Sequence, residues 1–332
     1  MKKIINNQEQ VVEEMLDGFM AAYGDEYRKI DGVNGVVRKN KKEKVGIVIG
    51  GGSGHEPLFL GYVGEGLADG VAVGNVFAAP TPNNVHEVTK AVDSGKGVLH
   101  IIINYAGDVM NFEMGAELAE MEGLTVKTVS VCDDVVSAPI ERSEERRGIA
   151  GALYVYKIAG AAAEQGLSLE EVARIAQKAS DSIRTVGIAL TPGTIPNTGL
   201  PTFELADDEM EFGMGIHGEP GVHRTKLLKA DELTDKMLTY IFNEMPLENN
   251  EEVCVLVNGL GSTTPMELMI VNRRIAQILE ERNIRVYNTD IGNFCTTQEM
   301  GGMSISLLKL DDELKKYFDV PAYSPFYMRK GK

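Results

Sequence analysis

Two short, glycine-rich turns carry the side chains best suited to chemistry. The first, Gly50-Gly51-Gly52-Ser53-Gly54-His55-Glu56-Pro57, directly follows the apolar run Val45 to Ile49. The second, Gly213-Met214-Gly215-Ile216-His217-Gly218-Glu219-Pro220-Gly221, again follows a strand-like run and again sets a His, a Glu and a Pro in that order. Imidazole titrates near neutral pH, so it serves acid–base and nucleophilic steps alike. One histidine from each half of the chain, brought together at a domain junction, would form a reactive centre. Two unrelated turns with solvated histidines are the plain alternative. A metal site built from His55, His217, His223 and a carboxylate is the third reading. Against it, the chain has no HExxH, and His217-Gly218-Glu219 has no PCxxC downstream.

The first turn fits none of the familiar glycine motifs. A Walker A loop would end in Gly-Lys-Ser/Thr, a dinucleotide fingerprint needs Gly where His55 stands, and so does the last position of a nucleophile elbow. What remains is a loop at the carboxyl edge of a sheet, where α/β proteins bind ligands and where glycine lets the backbone come close to them. A third element, Asn104-Tyr105-Ala106-Gly107-Asp108, follows the apolar run Val98 to Ile103. Asp108 either caps the next helix or serves as a general base toward a substrate hydroxyl, and spacing does not choose between them. Asn258-Gly259-Leu260-Gly261-Ser262-Thr263-Thr264 reads as a packing turn with a threonine cap, with an anion nest as the alternative. His86 and His100 read as packing or surface residues, and Arg146-Arg147-Gly148 as a solvated charge run or a phosphate or partner contact.

Positioning these residues requires a framework, and the apolar pattern supplies it. Val11 to Tyr23 has helical period. Strands are expected at Val45 to Ile49, Val71 to Val76, Val98 to Ile103 and Leu124 to Val131, with helices at Asn84 to Val92 and Asp108 to Met121 between them. This alternation predicts an α/β domain with a mostly parallel sheet. Helices at Arg147 to Gln165, rich in small residues, and Leu169 to Ser182 close it. A second α/β layer follows, with strands at Val186 to Leu190, Met210 to Ile216, Val253 to Val257, Ile284 to Tyr287 and Ser304 to Leu308, and helices at Glu232 to Asn243 and Pro265 to Glu281. The expected division is residues 1–183 and 184–332, two α/β domains whose sheets are mostly parallel or mixed and flanked by helices.

Composition narrows the classes of function. A net charge of −16 argues against non-specific nucleic-acid or anionic-lipid binding, and the absence of Trp leaves few stacking platforms. Three widely spaced cysteines, Cys132, Cys254 and Cys295, suit reduced thiols better than disulfides. Lys2 and Lys3 are followed by polar residues where a signal peptide would need an apolar stretch, and no apolar run approaches the roughly 20 residues that cross a bilayer. A cytoplasmic protein is the expectation.

Taken together, GGGSGHEP at Gly50 to Pro57, Asn104 to Asp108 ahead of Asn111-Phe112, RRGIAG at Arg146 to Gly151, GMGIHGEPG at Gly213 to Gly221 and NGLG at Asn258 to Gly261 resemble the dihydroxyacetone kinase family, specifically its substrate-binding K subunit. The resemblance spans essentially the whole chain, in order. It implies that the imidazole of His217 adds to the carbonyl carbon of a short ketose to give a hemiaminal. It further implies that His55 hydrogen-bonds the adduct and assists proton transfer, and that Asp108 is the base on the hydroxyl that receives the phosphoryl group. Gly51, Gly52 and Ser53 are implied to line the same pocket. Single-chain members append a nucleotide-binding domain of roughly 200 residues that this length does not accommodate. The resemblance also implies a homodimer, and a chain that binds no cofactor or metal itself. Its phosphoryl donor would be an L subunit carrying Mg-ADP, recharged by an M subunit of the phosphoenolpyruvate phosphotransferase system.

Two stretches depart from the family pattern. Ile103 and Ala106 stand where Lys and Thr/Ser are usual, and Ala78-Ala79 where Thr-Ser is usual. Loss of polar groups beside a pocket changes recognition, which suggests a longer ketose such as erythrulose. A paralog that senses the ketose as a transcriptional co-activator is the alternative function, and retention of Asp108 beside both histidines favours the kinase.

Overall fold

In the computed structural model, which describes residues 2–332, the first amphipathic stretch forms α1 (Val11–Tyr23), buried through Val12, Leu16 and Phe19. Two short strands that the apolar pattern does not announce, β1 (Tyr27–Lys29) and β2 (Gly35–Arg38), pair antiparallel at one edge of a six-stranded sheet. It continues with β3 (Gly46–Ser53), β4 (Gly70–Val76), β5 (Val98–Ile103) and β6 (Val126–Val131) in the order β1-β2-β4-β3-β5-β6. The last four strands of that order are mutually parallel, so crossovers are needed; α2 (Pro82–Val92) and α3 (Ala106–Met121) supply two of them. β3 runs on through the glycines that the sequence places in a loop. A Cβ on Gly50 would meet the Ala72 carbonyl and the Phe112 ring, and one on Gly51 the Phe59 ring, so these glycines permit close sheet packing.

α4 (Ala152–Glu164) starts five residues later than its composition suggests, because the Asp133 carboxylate takes the N–H groups of Ile149 and Gly151 at 2.7 and 2.9 Å. Its residues from Ala152 to Ala163 are all buried. Their small side chains let the helix lie between the two sheets, and the Tyr154 hydroxyl bonds the Val255 carbonyl and Asp290, both at 2.9 Å, on the far side. α5 (Leu169–Asp181) packs beside it, and the main core joins β3, α4 and α5 to Cys254, Leu256 and Leu308 of the second sheet.

The second sheet comprises β7 (Ile183–Thr191), β8 (Glu209–Phe212), β9 (His223–Lys226), β10 (Glu252–Gly259), β11 (Arg285–Gly292) and β12 (Gly301–Leu310), ordered β11-β10-β12-β7-β8-β9. β10 and β11 are parallel and the other pairs antiparallel, so this sheet is mixed. Along β10, Cys254 and Leu256 face α4, while Val253, Val255 and Val257 face a second core under α6 (Ala230–Glu244) and α7 (Pro265–Glu281). The chain then returns to the first half through α8 (Asp312–Phe318), β13 (Ala322–Ser324) and β14 (Tyr327–Arg329), where Tyr323 N–H bonds Glu65 O at 2.9 Å and Ser324 Oγ bonds Gly61 O at 2.6 Å. β7 begins at Ile183, so the expected division near residue 184 falls at the entry to the second sheet, and this tail crosses back over it. Among the described residues no helix is long and apolar enough to cross a membrane.

Candidate active site

β3 ends at Ser53, whose hydroxyl donates to the Gly74 carbonyl (2.8 Å), and the turn beyond it buries His55 completely. His55 Nδ1 lies 2.8 Å from the Thr296 carbonyl oxygen. A carbonyl only accepts, so Nδ1 carries the hydrogen and Nε2 is left with its lone pair. That Nε2 lies 3.0 Å from Nε2 of His217, which comes from the turn after β8. His217 Nδ1 in turn donates to Glu219 Oε1 at 2.9 Å, while Glu219 Oε2 accepts the His217 backbone N–H at 3.0 Å. Two bare Nε2 lone pairs would repel at this distance, so one proton lies between the rings. Burial, reinforced by the field of His217, drives the His55 pKa down to about 3. Burial works to raise the Glu219 pKa, yet its hydrogen bond to His217 and the charge of that ring hold it down at about 2. The centre is a hydrogen-bonded chain that runs from the Glu219 carboxylate through the two imidazoles to the Thr296 carbonyl.

Asp108 approaches from α3. It is the third residue of the helix, whose N-cap is Tyr105, so the capping role considered for it is not the one it plays. Its carboxyl is buried, and Oδ1 has no hydrogen-bond partner among the described residues. Burial raises its pKa to about 7, against the opposing pull of His217 and its own backbone N–H. The Tyr105 ring meets His217 edge-on at 4.8 Å, and Phe77 packs 5.0 Å from His55 and 5.6 Å from His217. Phe77 holds φ at +55°, a conformation unusual for a bulky residue, fixed by its N–H bond to Ser53 O (2.9 Å). These rings wall the histidine pair on two sides, with His55 fully buried and His217 half-buried.

Two imidazoles in contact and a buried carboxyl whose pKa is raised to about 7 can accept and return protons near neutral pH. The Dak1 domain model matches residues 17–326. The PTS-dependent dihydroxyacetone kinase 2, dihydroxyacetone-binding subunit DhaK of Listeria innocua is 46% identical over 98% of this chain and 99% of its own length. The chain belongs to the dihydroxyacetone kinase family. It is also 38% identical to the L-erythrulose kinase of Pectobacterium atrosepticum, matching all of this chain but 57% of that longer protein. Among solved structures, the dihydroxyacetone kinase operon co-activator Dha-DhaQ superposes with a TM-score of 0.88 at 34% identity, over 93% of this chain and 96% of that one.

In this family member His55 and His217 meet, with the Asp108 carboxyl within the field of His217. Of the residues expected to line the same pocket through their backbone, Gly51 faces Phe59, the Ser53 hydroxyl is spent on β4, and Gly52 abuts the backbone of Phe77 and Ala78. His223 lies exposed on β9 against Phe212, and among the described residues no three His, Cys, Asp or Glu side chains are grouped to hold a metal ion. His100 is a core residue bonded to Thr89 Oγ1 at 2.8 Å, and His86 lies beside Glu87 and Glu122. Reading Arg146 and Arg147 as a solvated charge run is corrected: Arg146 is 1% exposed and pairs with Glu244, while Arg147 bridges Asp134 (2.8 Å) and the Gly213 carbonyl (2.6 Å). Thr264 caps α7 in a reciprocal box with Glu267, as a packing turn requires. Residues not assigned from the sequence are Glu219, Phe77, Tyr105 and Thr296. Of these, Glu219 had a readable signal, since a carboxylate two residues after a histidine in a tight turn can reach its Nδ1.

Proposed function

We propose that this chain is the ketose-binding subunit of a dihydroxyacetone kinase and carries its substrate as a hemiaminal on His217. The observation that supports this most directly is the 3.0 Å contact between the two Nε2 atoms, beside a buried carboxyl with an unpaired oxygen. Transfer of the shared proton to His55 Nε2 frees the lone pair of His217 for attack on the carbonyl carbon. The C–N bond forms, the C=O π bond breaks, and the new oxyanion takes the proton from His55 Nε2. His217 is left as a substituted imidazolium whose charge Glu219 balances. Asp108 then accepts the proton of the terminal hydroxyl as that oxygen attacks the incoming phosphorus. Glycerol has no carbonyl to attack, so the mechanism selects ketoses.

The imidazoles, carboxyl and aromatic rings here suit a neutral ketose and not a triphosphate. We therefore assign the nucleotide, as Mg-ADP, to a separate L subunit. Recharging of that subunit by an M subunit of the phosphotransferase system, assembly of this chain as a homodimer and a cytoplasmic location belong to the same proposal. Ile103 is buried in the apolar core, and Ala79 faces Gly107 at the base of α3, so neither offers a polar group to a ligand. We extend the proposal to erythrulose as a substrate beside dihydroxyacetone.

Intact-protein mass spectrometry after incubation with dihydroxyacetone, erythrulose or glycerol tests this reading. The expected result is a ketose-specific mass gain, absent with glycerol and absent in His217→Ala, followed by phosphorylation when a charged L subunit is added. No adduct with any ketose would overturn the covalent mechanism. The likeness to the co-activator structure favours one second reading, a ketose sensor, which would form the adduct without turnover.

A further inference from the structure

The Asn258 turn is a sequence motif that the chemistry above leaves unused, and its side chain is buried at the carboxyl end of β10. Every polar valence of that amide is engaged, three of the four by the segment that follows β11 and the fourth by β12. Oδ1 accepts the N–H groups of Phe294 and Cys295 at 2.8 and 2.9 Å, and Nδ2 donates to the Cys295 carbonyl at 2.8 Å and to Ser304 Oγ at 3.2 Å. The next residue is Thr296, and it is welded to the histidine turn of the first half by three bonds. Its N–H donates to His55 O (3.1 Å), its hydroxyl to Glu56 O (2.9 Å), and its carbonyl accepts His55 Nδ1–H (2.8 Å). Gln298 N–H adds a bond to Gly54 O at 2.8 Å.

A neutral imidazole carries one hydrogen, and the bond made by one nitrogen decides the role of the other. Because Thr296 offers a backbone carbonyl, His55 can be a base only through Nε2, the atom that faces His217. Were the carbonyl turned away, the hydrogen would move freely between the two nitrogens, and the Nε2–H form could not accept the proton that blocks the nucleophile. The Thr296 hydroxyl and N–H dock the residue on the histidine turn, but the carbonyl itself is a backbone group whose direction is set by the peptide units around it. That direction is enforced from both sides: the Thr297 N–H of the same peptide plane donates to Leu260 O at 2.9 Å, and the two preceding peptide units are held by Asn258, two residues before Leu260 in the same turn.

We infer that Asn258 is a positioning residue that fixes the tautomer of His55 by locking the Phe294–Thr296 segment, so that the second half of the chain sets the proton inventory of a histidine in the first. This rests on the ketose-kinase reading for its consequence but not for its test. Imidazole nitrogens labelled with 15N report the tautomer directly, without substrate or partner. In the wild type, at pH 7.5, His55 should show a single Nδ1–H form. Asn258→Ala should give a mixed signal for His55 and slow formation of the ketose adduct at least tenfold. Asn258→Asp keeps both accepted N–H bonds and should retain the Nδ1–H form, recovering most of that loss. Leu279→Ala, a cavity in the second core away from this segment, is the control for mere destabilisation and should leave the His55 signal unchanged.

An unchanged His55 spectrum in Asn258→Ala would overturn the inference, as would an equal disturbance in Leu279→Ala. If Asn258→Ala does not fold, Asn258→Asp decides: loss of the single tautomer there, despite both accepted bonds, would reject the lock. Failure of every variant and of the wild type to form an adduct, with the tautomer pattern as expected, would reject the covalent mechanism and leave the lock standing.

Discussion

Asp108 shows how one residue serves chemistry at the expense of stability. Its pKa stands at about 7 in the folded chain against 3.8 for an ordinary aspartate, so the native state binds the proton more tightly than the unfolded one. Its contribution to stability is therefore lost progressively as pH rises from about 4 to about 7. Asp108→Asn removes that penalty, and urea denaturation should find the variant more stable than the wild type at pH 8, with the difference vanishing near pH 4. Phosphoryl transfer should behave in the opposite way. In the wild type it rises with pH through about 7 as the base ionises; in the variant it should fall roughly 100- to 10,000-fold and lose that limb, while the His217 adduct still forms. Equal stability at pH 8, or an unaltered pH limb, would show that Asp108 is neither buried nor basic as described. His55 and Asp108 were legible because both residue types stood at strand ends in unusual turns. Thr296 was not, because a backbone carbonyl leaves no mark on the sequence and this one arrives from 241 residues away.

At the scale of elements, β3 separates two explanations of the glycine run. A glycine kept for a ligand and a glycine kept for packing look identical in sequence, and here the sheet supplies the answer. Gly51 faces the Phe59 ring with no room for a methyl group. Gly51→Ala should therefore cost roughly 1–3 kcal/mol by overpacking, lowering the melting temperature, while ketose adduct formation by the folded fraction stays near wild type. A normal melting temperature with lost adduct would return Gly51 to the ligand. The same reasoning explains which elements the pattern revealed. α1, β5 and α7 match their expected limits because apolar periodicity runs their full length. β1, β2, β13 and β14 are three or four residues long and supply too few periods to read, and β11 continues through Asn288, Thr289 and Asp290, where alternation fails because the strand is at an edge.

Across the whole molecule, the site exists only while the two sheets hold their relative placement, since His55 belongs to one and His217 with Thr296 to the other. Beside Tyr154 and the Thr296 segment, Arg147 is a principal tie. It stands ahead of α4, its guanidinium pairs with Asp134, which follows β6 and bridges to Thr185 of β7, and it donates to the Gly213 carbonyl at the root of the His217 turn. Asp134 is buried, and burial raises its pKa to about 7 even with Arg147 beside it. Arg147→Ala strands that carboxyl, a loss of about 3–5 kcal/mol when a buried pair is broken at a pH where it is ionised. Below pH 6 Asp134 can take a proton, so the deficit measured by urea denaturation should be smaller at pH 5 than at pH 8. Adding Asp134→Asn removes the stranded charge and should restore much of the stability at pH 8. It cannot restore the bond to Gly213, so the double variant should fold and still form the ketose adduct more slowly than the wild type. Full recovery of adduct formation together with stability would mean that Arg147 matters only as a partner for Asp134, and that the His217 turn is positioned without it.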